Sequence, residues 1–306
     1  MMKQGGIAVK ANNIIRFWKK NGPGYMMLAP FYFFFFLFVI IPVGYAIILS
    51  MTNYNMMETP SFTFLTNYKL LIMDDDEFLI ALKNTLVFAG ISGPISFLMS
   101  FFMAWVINQV KCRNVYSLAF YAPSITSGVA MSTVWLYFFS SDSYGLVNNA
   151  LMRVGLIDSP ILWNQDSATI LPVVIFISIW MGMGTGFLTF IAGFQNLDMQ
   201  VYEAASIDGI KNEFQKLFYI TWPMMKPQLL FGAINAIVSS FGVFDIAVAF
   251  AGMPSPNYAA HTLVTHLYDY AFIRFEMGYA SAVAVVLFII TYFLGRIVTR
   301  IFAPKD

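Results

Sequence analysis

Six long apolar stretches divide the chain, at residues 25–50, 84–108, 115–139, 168–194, 228–251 and 277–301, with short polar segments between them. None alternates with the period of two that a half-buried strand would need. Each exceeds the roughly 20 residues that a helix needs to cross a bilayer. Lipid offers no partners for exposed backbone groups, so stretches of this kind predict transmembrane helices. The expected fold is an all-α membrane protein of six transmembrane helices, with a membrane domain over residues 25–302. The first stretch is free of charge and contains Phe33, Phe34, Phe35 and Phe36. It is too long for a cleavable leader and is followed by no small-residue cleavage pattern, so it is expected to remain as the first span. Pro30 and Pro42 within it are tolerable if neighbouring helices cover the freed carbonyls.

Composition fits this pattern. Of 306 residues, 59% are hydrophobic and 11% charged, and the mean hydropathy is +0.70, far from the soluble range. A net charge of +1 gives no basic surface for nucleic acid. The single cysteine, Cys112, cannot form an internal disulfide or nucleate a metal cluster. Lys and Arg are unequally distributed. Thirteen of the seventeen fall on the side of residues 1–24, Lys111 and Arg113, the 195–227 segment and the C-terminus; four fall on the other side, at Lys69, Lys83, Arg153 and Arg274. The positive-inside rule then places both termini and the 195–227 loop in the cytoplasm.

That loop is the most distinctive stretch. Residues 202–227 are polar and helix-favouring between two strongly apolar spans. Asp208-Gly209 is a natural stop, because glycine adopts the left-handed conformation that ends a helix. Asn212 is placed to cap a second short helix, with Phe214, Leu217 and Phe218 on one face. The spacing predicts a helix–turn–helix at the membrane surface. Glu203-Ala204-Ala205, then Gly209, then Ile220 and Pro223 resemble the EAA motif of the membrane subunits of binding-protein-dependent ATP-binding-cassette (ABC) importers. Two positions depart from that pattern. Ten residues rather than nine separate Gly209 from Ile220, and Trp222 stands where leucine is usual. The wider chain is similar to the carbohydrate branch of these permeases, through Leu28-Ala29-Pro30, Asn67-Tyr68, Asn84-Thr85, Gly145 with Asn148, Gly193-Phe194-Gln195, Phe244-Asp245, and Gly278 with Ser281-Ala282. Ala251-Gly252-Met253-Pro254 stands where that branch commonly has a Gly-Gly-Pro turn.

The resemblance implies a type I ABC importer permease fold with a cytoplasmic coupling helix. It implies that Glu203, Ala204, Ala205, Gly209, Ile220 and Pro223 meet an ATPase subunit. It implies three partners: a second, homologous permease, ATP-binding subunits, and an extracytoplasmic solute-binding protein that delivers a sugar. No cofactor is expected, and no covalent step: the chain has no G-x-x-x-x-G-K-[ST] phosphate loop, so ATP must be bound elsewhere.

Asp245 is the one acid well inside a span, about 9 Å from its outer end at helical rise. A carboxylate at that depth faces a cavity or a partner. It either accepts sugar hydroxyls in a translocation path or holds the bundle in register. Phe241, four residues away on the same predicted helix, would share its face, with Phe244 adjacent and Asn235, Ser239 and Ser240 adding hydrogen-bonding groups. His261 and His266 lie near Asp269 in the outer loop without the nucleophile a catalytic site needs. The acidic run Asp74-Asp75-Asp76-Glu77 is expected to be a solvated loop; its spacing is not that of a calcium loop. Gly182, Gly184 and Gly186 follow no strand, so the Gly182/Gly186 pair is expected to serve helix packing rather than a dinucleotide. Two alternatives stay open: a transporter driven by an ion gradient, and an ABC importer of a non-sugar solute. The absence of Lys or Arg deep in spans three to six disfavours a strongly anionic substrate.

Overall fold

The computed structural model describes residues 4–302, with the side chains of 4–18, Lys20 and Thr185 left outside the description. Lys3 and Lys305 of the charge balance therefore lie outside the described residues. Helix α1 (Gln4–Phe35) passes through a π turn into α2 (Ile41–Leu49), and the two make the first span. A two-residue antiparallel pair follows, β1 (Thr52–Asn53) with β2 (Ser61–Phe62). Next come α3 (Thr66–Met73) and the long α4 (Asp76–Asn108), whose start Asp75 caps by accepting from the Phe78 amide at 2.8 Å. Then come α5 (Arg113–Ile125), α6 (Gly128–Phe138), α7 (Leu146–Arg153) and α8 (Ser167–Gln195). The polar loop carries α9 (Met199–Ile207), α10 (Glu213–Lys216) and α11 (Trp222–Met224). The chain re-enters the bundle as α12 (Lys226–Phe241) and α13 (Asp245–Ala251), turns through α14 (Leu263–Tyr268), and ends in α15 (Met277–Phe302).

Five of these helical stretches are long and apolar enough to span a membrane: Asn21–Leu49, Asp76–Asn108, Ser167–Gln195, Lys226–Ala251 and Met277–Phe302. The expected third span, 115–139, is not one helix but α5 and α6, separated by extended backbone at Thr126 and Ser127. Pro123 cannot donate to the helix ladder, and the run after it is rich in poor helix formers. The Ser124 and Thr126 hydroxyls bond the carbonyls of Tyr121 and Ala122, at 2.7 and 3.0 Å. The expected fifth span, 228–251, is likewise interrupted at Gly242–Phe244, where Phe244 has φ −141° and ψ −65°.

The bundle is held by a central pair, α4 against α8. Gly182 and Gly186 let α8 approach the serines of α4: a methyl at Gly186 would lie 3.2 Å from Ser100 Oγ. Ser100 donates to the Met183 carbonyl across that contact. Gly184 faces α5 instead, against Ser124 and Tyr121. At the end that carries the 195–227 loop, Phe101, Phe187, Phe190, Phe194, Met225 and Leu229 form one core. At the opposite end, Phe88, Ile170, Val174, Ile177, Ala247 and Phe250 form another.

Buried carboxamides tie the opposite end together. Asn84 donates to the carbonyls of Tyr258 and His261, at 2.9 and 3.0 Å. Asn148 donates to Ser140, Asp142 and Ile161 and accepts from the Ile161 amide and the Trp163 indole. The acidic run departs from the expected solvated loop. Asp74 and Asp76 are exposed, but Asp75 accepts from the hydroxyls of Tyr270 and Tyr279, and Glu77 from Tyr258 and Arg274. These acids stand where α15 and the 252–276 segment close over the start of α4, a contact that the sequence pattern could not place.

Close approach makes particular glycines intolerant. A methyl at Gly232 would sit 2.6 Å from Phe190 Cζ in a buried position, whereas one at Gly90 meets nothing within 4 Å. Gly232→Ala is expected to destabilise by about 1–3 kcal/mol through overpacking. Gly90→Ala is expected to stabilise by about 0.5–1 kcal/mol through reduced backbone freedom. Thermal unfolding of the two variants in one detergent checks the ordering.

Candidate functional site

The two broken helices meet. Gly128 opens α6, and a methyl at that position would lie 3.7 Å from Asp245 Cβ and 3.9 Å from Oδ2. Asp245 opens α13, and neither helix start is capped by a side chain. The carboxylate therefore stands beside the free amides and positive dipole end of α6, which favour an anion there. Discontinuous helices of this sort put polar backbone at mid-membrane only where it faces protein or a cavity. Here it faces a cavity of about 290 Å³ between α4, α8, α12 and the two breaks.

The lining divides into polar and apolar parts. Asn235, Ser239, Ser240 and Asp245 line it with Ser92, Ser96, Ser100 and Ser178; Phe88, Phe97, Phe190 and Phe244 supply rings. No Lys, Arg or His is among the lining residues. Ser92, Ser100 and Ser240 are turned to backbone carbonyls of Phe88, Met183 and Ile237. Asn235, Ser239 and Asp245 are exposed, and within the described residues their side chains form no hydrogen bond. The Ser178 hydroxyl is buried without a partner. Such groups await a ligand or water.

Two expectations about α12 are corrected. Phe241 does not share a face with Asp245, because the helix breaks between them; it is buried and absent from the lining. Phe244, Asn235, Ser239 and Ser240 do line the cavity with Asp245, but Asp245 belongs to a separate helix from the last three. The sequence signal for the Gly128 side was the run Pro123 to Gly128, which was absorbed into a continuous apolar span.

The 195–227 loop folds as its residues dictate. Asp198 caps α9 by accepting from the Gln200 amide at 2.9 Å. Gly209, at φ +94°, ends it. Asn212 caps α10 by accepting from the Phe214 amide at 3.0 Å. Glu203, Ala204, Gly209 and Pro223 are exposed, while Ala205 and Ile220 are buried. Ile207, 87% exposed, extends the free apolar surface of α9 and is a residue the sequence reading did not single out. The two halves are clasped by the Tyr202 hydroxyl on Thr221 Oγ1 at 2.7 Å. Trp222 packs edge-on against Phe101 at 5.1 Å, and Phe101 against Phe190 at 5.4 Å. Phe190 lines the cavity, so three rings join the loop to the site.

Comparison with known proteins bears on what such a molecule is. Residues 17–305 match the family described as the binding-protein-dependent transport system inner membrane component. The chain belongs to that family. It is thus a transport component and not an enzyme, and membership of a binding-protein-dependent transport family sets aside the gradient-driven alternative. This permease is 34% identical to the "Probable ABC transporter permease protein YesP" of Bacillus subtilis (strain 168), over 95% of this chain and 93% of the relative. It is 30% identical to the arabinooligosaccharides transport system permease protein AraP of the same organism, over 90% and 86%. It is 30% identical to the lactose transport system permease protein LacF of Rhizobium radiobacter, over 90% and 92%. Among solved structures, a chain of a bacterial ABC transporter involved in the import of the acidic polysaccharide alginate superposes with a TM-score of 0.76 at 25% identity, covering 94% of this permease and 99% of that chain.

The Tyr202–Thr221 clasp is the loop's one side-chain bond between its two halves among the bonds described above. Tyr202→Phe removes it at a cost of about 1 kcal/mol. The expected result is faster amide hydrogen exchange across residues 213–221, with exchange in α4 and α8 unchanged.

Proposed function

We propose that this permease is one of two membrane subunits of an ATP-driven importer for a neutral sugar or short oligosaccharide. Its cavity forms half of the translocation path, and its 195–227 loop docks on an ATPase subunit. The observation that carries the substrate class is the cavity wall: hydroxyl, carboxamide and a single unpaired carboxylate, with rings beside them and no cation among the lining residues. Sugars present hydroxyl donors and apolar ring faces, which this lining matches. The named substrates of relatives are consistent with it, arabinooligosaccharides and lactose among them. Other relatives carry sn-glycerol-3-phosphate or belong to an alginate importer. An anionic substrate would meet the Asp245 charge with no Lys, Arg or His among the lining residues to offset it.

The loop supports ATPase docking. Glu203 and Ala204 on α9, followed by Gly209, are exposed beside the bare Ile207, while the closing half is anchored by Ile220 and Trp222 in the bundle. A groove on the ATPase would take the small residues, and movement of the loop would reach the cavity through Trp222, Phe101 and Phe190. The charge balance of Lys and Arg supports a cytoplasmic place for both termini and this loop, where ATP is available. The first span supports a second permease. Only 6% of its most apolar window is buried within this chain, which leaves a large surface for a homologous subunit as well as lipid. A solute-binding protein would deliver the sugar at the opposite face.

Two substitutions in one purified complex test the reading. Glu203→Arg is expected to abolish co-purification of the ATPase while leaving the second permease attached. Asp245→Asn is expected to keep the complex intact and lower uptake of lactose or arabinotriose by about 10–100-fold, the range for a lost hydrogen bond to a charged group. Retention of the ATPase by Glu203→Arg overturns the docking role. Uptake of sn-glycerol-3-phosphate in preference to both sugars overturns the substrate class.

A further inference from the structure

The break that presents Asp245 is held from the far end of the molecule by a line of close polar contacts, hydrogen-bonded from Val243 to His266 and closed to Asp75 by proximity alone. Thr262 Oγ1 donates to the carbonyl of Val243, at 3.2 Å, within the break itself. Thr262 and Thr265 close a capping box at the start of α14, with the Thr262 amide on Thr265 Oγ1 at 2.7 Å. Thr265 Oγ1 lies 3.3 Å from His261 Nδ1, and His261 Nε2 lies 3.1 Å from His266 Nδ1. His266 Nε2 lies 3.3 Å from Asp75 Oδ2. All four residues between Asp75 and the break are buried, whereas Asp75 borders a surface cleft with Asp74, Asp76 and Glu276.

We propose that Asp75, His266, His261, Thr265 and Thr262 form a positioning relay that sets the Val243 carbonyl, and with it the place of the Asp245 carboxylate, according to the state of the face opposite the 195–227 loop. One proton arrangement satisfies the line with both rings neutral. His266 Nε2–H faces Asp75, His261 Nε2–H donates to His266 Nδ1, and the Thr265 hydroxyl turns from the Thr262 carbonyl, 2.8 Å away, to donate to His261 Nδ1. A second proton on His261 would remove the acceptor that Thr265 uses and break the line next to the capping box.

The surroundings keep the rings neutral at ordinary pH. Burial lowers the His261 pKa to about 4, helped by His266, and burial also lowers that of His266 against the pull of Asp75. Burial alone would raise the Asp75 carboxyl, but the Tyr279 hydroxyl, the Phe78 amide, His266 and Tyr270 together hold it below its usual range. The charged and titratable groups around the pair are Asp75 and Glu77 from the α4 side, Asp269, Tyr270 and Arg274 after α14, Tyr258 before it, and Tyr279 from α15. Because burial holds the folded pKa of His261 at about 4, the ring stays neutral and the relay intact at pH 5.5 and above, and the relay is lost only as pH falls through about 4.

The inference rests on the cavity as the translocation site but not on any sugar, so its test uses a thiol. In the complete purified transporter, Cys112→Ser removes the exposed native thiol, and Gly128→Cys places a thiol against the Asp245 carboxylate. The neutral reagent methyl methanethiosulfonate reports that neighbourhood, since a carboxylate that moves away releases the thiolate. Thr262→Val is expected to raise the labelling rate about fivefold, as for loss of one buried hydrogen bond. Thr262→Ser is expected to restore it. Tyr258→Phe, which removes the hydroxyl bond to Glu77 and keeps the ring against His261, is expected to leave it unchanged. Lowering the pH from 7.5 to 5.5 is expected to leave the rate per thiolate unchanged in both the Thr262 and Thr262→Val backgrounds, because the His261 ring stays neutral until about pH 4. If Thr262→Val does not assemble, His261→Asn takes its place with the same expectation. No change in the valine or asparagine variant, an equal rise in Tyr258→Phe, or a rise in the Thr262 background on lowering the pH to 5.5 overturns the relay. These outcomes are independent of whether lactose or arabinotriose is taken up.

Discussion

The constraint on which this structure depends is that a backbone group inside a bilayer must find its partner within the protein. Wherever the chain leaves helical geometry at membrane depth, it has to bring side chains or a cavity to the freed groups. At Thr126–Ser127 the hydroxyls of Ser124 and Thr126 bond carbonyls one turn back. At Gly242–Phe244 the Thr262 hydroxyl, from a different part of the chain, takes the Val243 carbonyl. At the start of α6, Gly128 stands beside Asp245. The two interruptions thus complete one another and leave polar groups around a common cavity.

The same constraint explains the buried carboxamides. Asn67 bonds the carbonyls of Ser50 and Thr52, Asn84 those of Tyr258 and His261, and Asn148 a set of five groups around Ser140–Trp163. Each joins segments that have no helix to satisfy them. Gly278 serves a related end, because any side chain there would collide with the Thr52 carbonyl, 2.1 Å from where its Cβ would stand. Positions that resemblance picked out as motif residues are therefore mostly clamps, and they cluster at the end of the bundle opposite the 195–227 loop.

That loop and the cavity are mechanically continuous. The second half of the loop is not a free surface helix but a wedge: Leu217 and Trp222 enter the core built by Phe101, Phe190 and Phe194, and Ile220 is buried. Close-packed interiors pass displacement on rather than absorbing it. A push on α9 reaches Thr221 through Tyr202 and the cavity through three rings packed edge to face, whereas Glu203, Ala204 and Ile207 remain exposed.

Sequence alone determined the span count in apolar stretches, the asymmetry of Lys and Arg, the helix–turn–helix with its stop at Gly209 and its cap at Asn212, and the packing role of Gly182 and Gly186. These follow from period, propensity and composition, which are local. Tertiary structure alone decided that spans three and five are interrupted and that Phe241 leaves the Asp245 face. It also decided that Asp75 and Glu77 are partnered by residues nearly two hundred positions away. The reason is physical. Hydropathy measures how well a residue tolerates lipid, and a half-helix scores the same as a whole one. Whether a helix can break depends on partners that arrive from elsewhere in the chain, such as Thr262 beneath Val243, and no local pattern announces them.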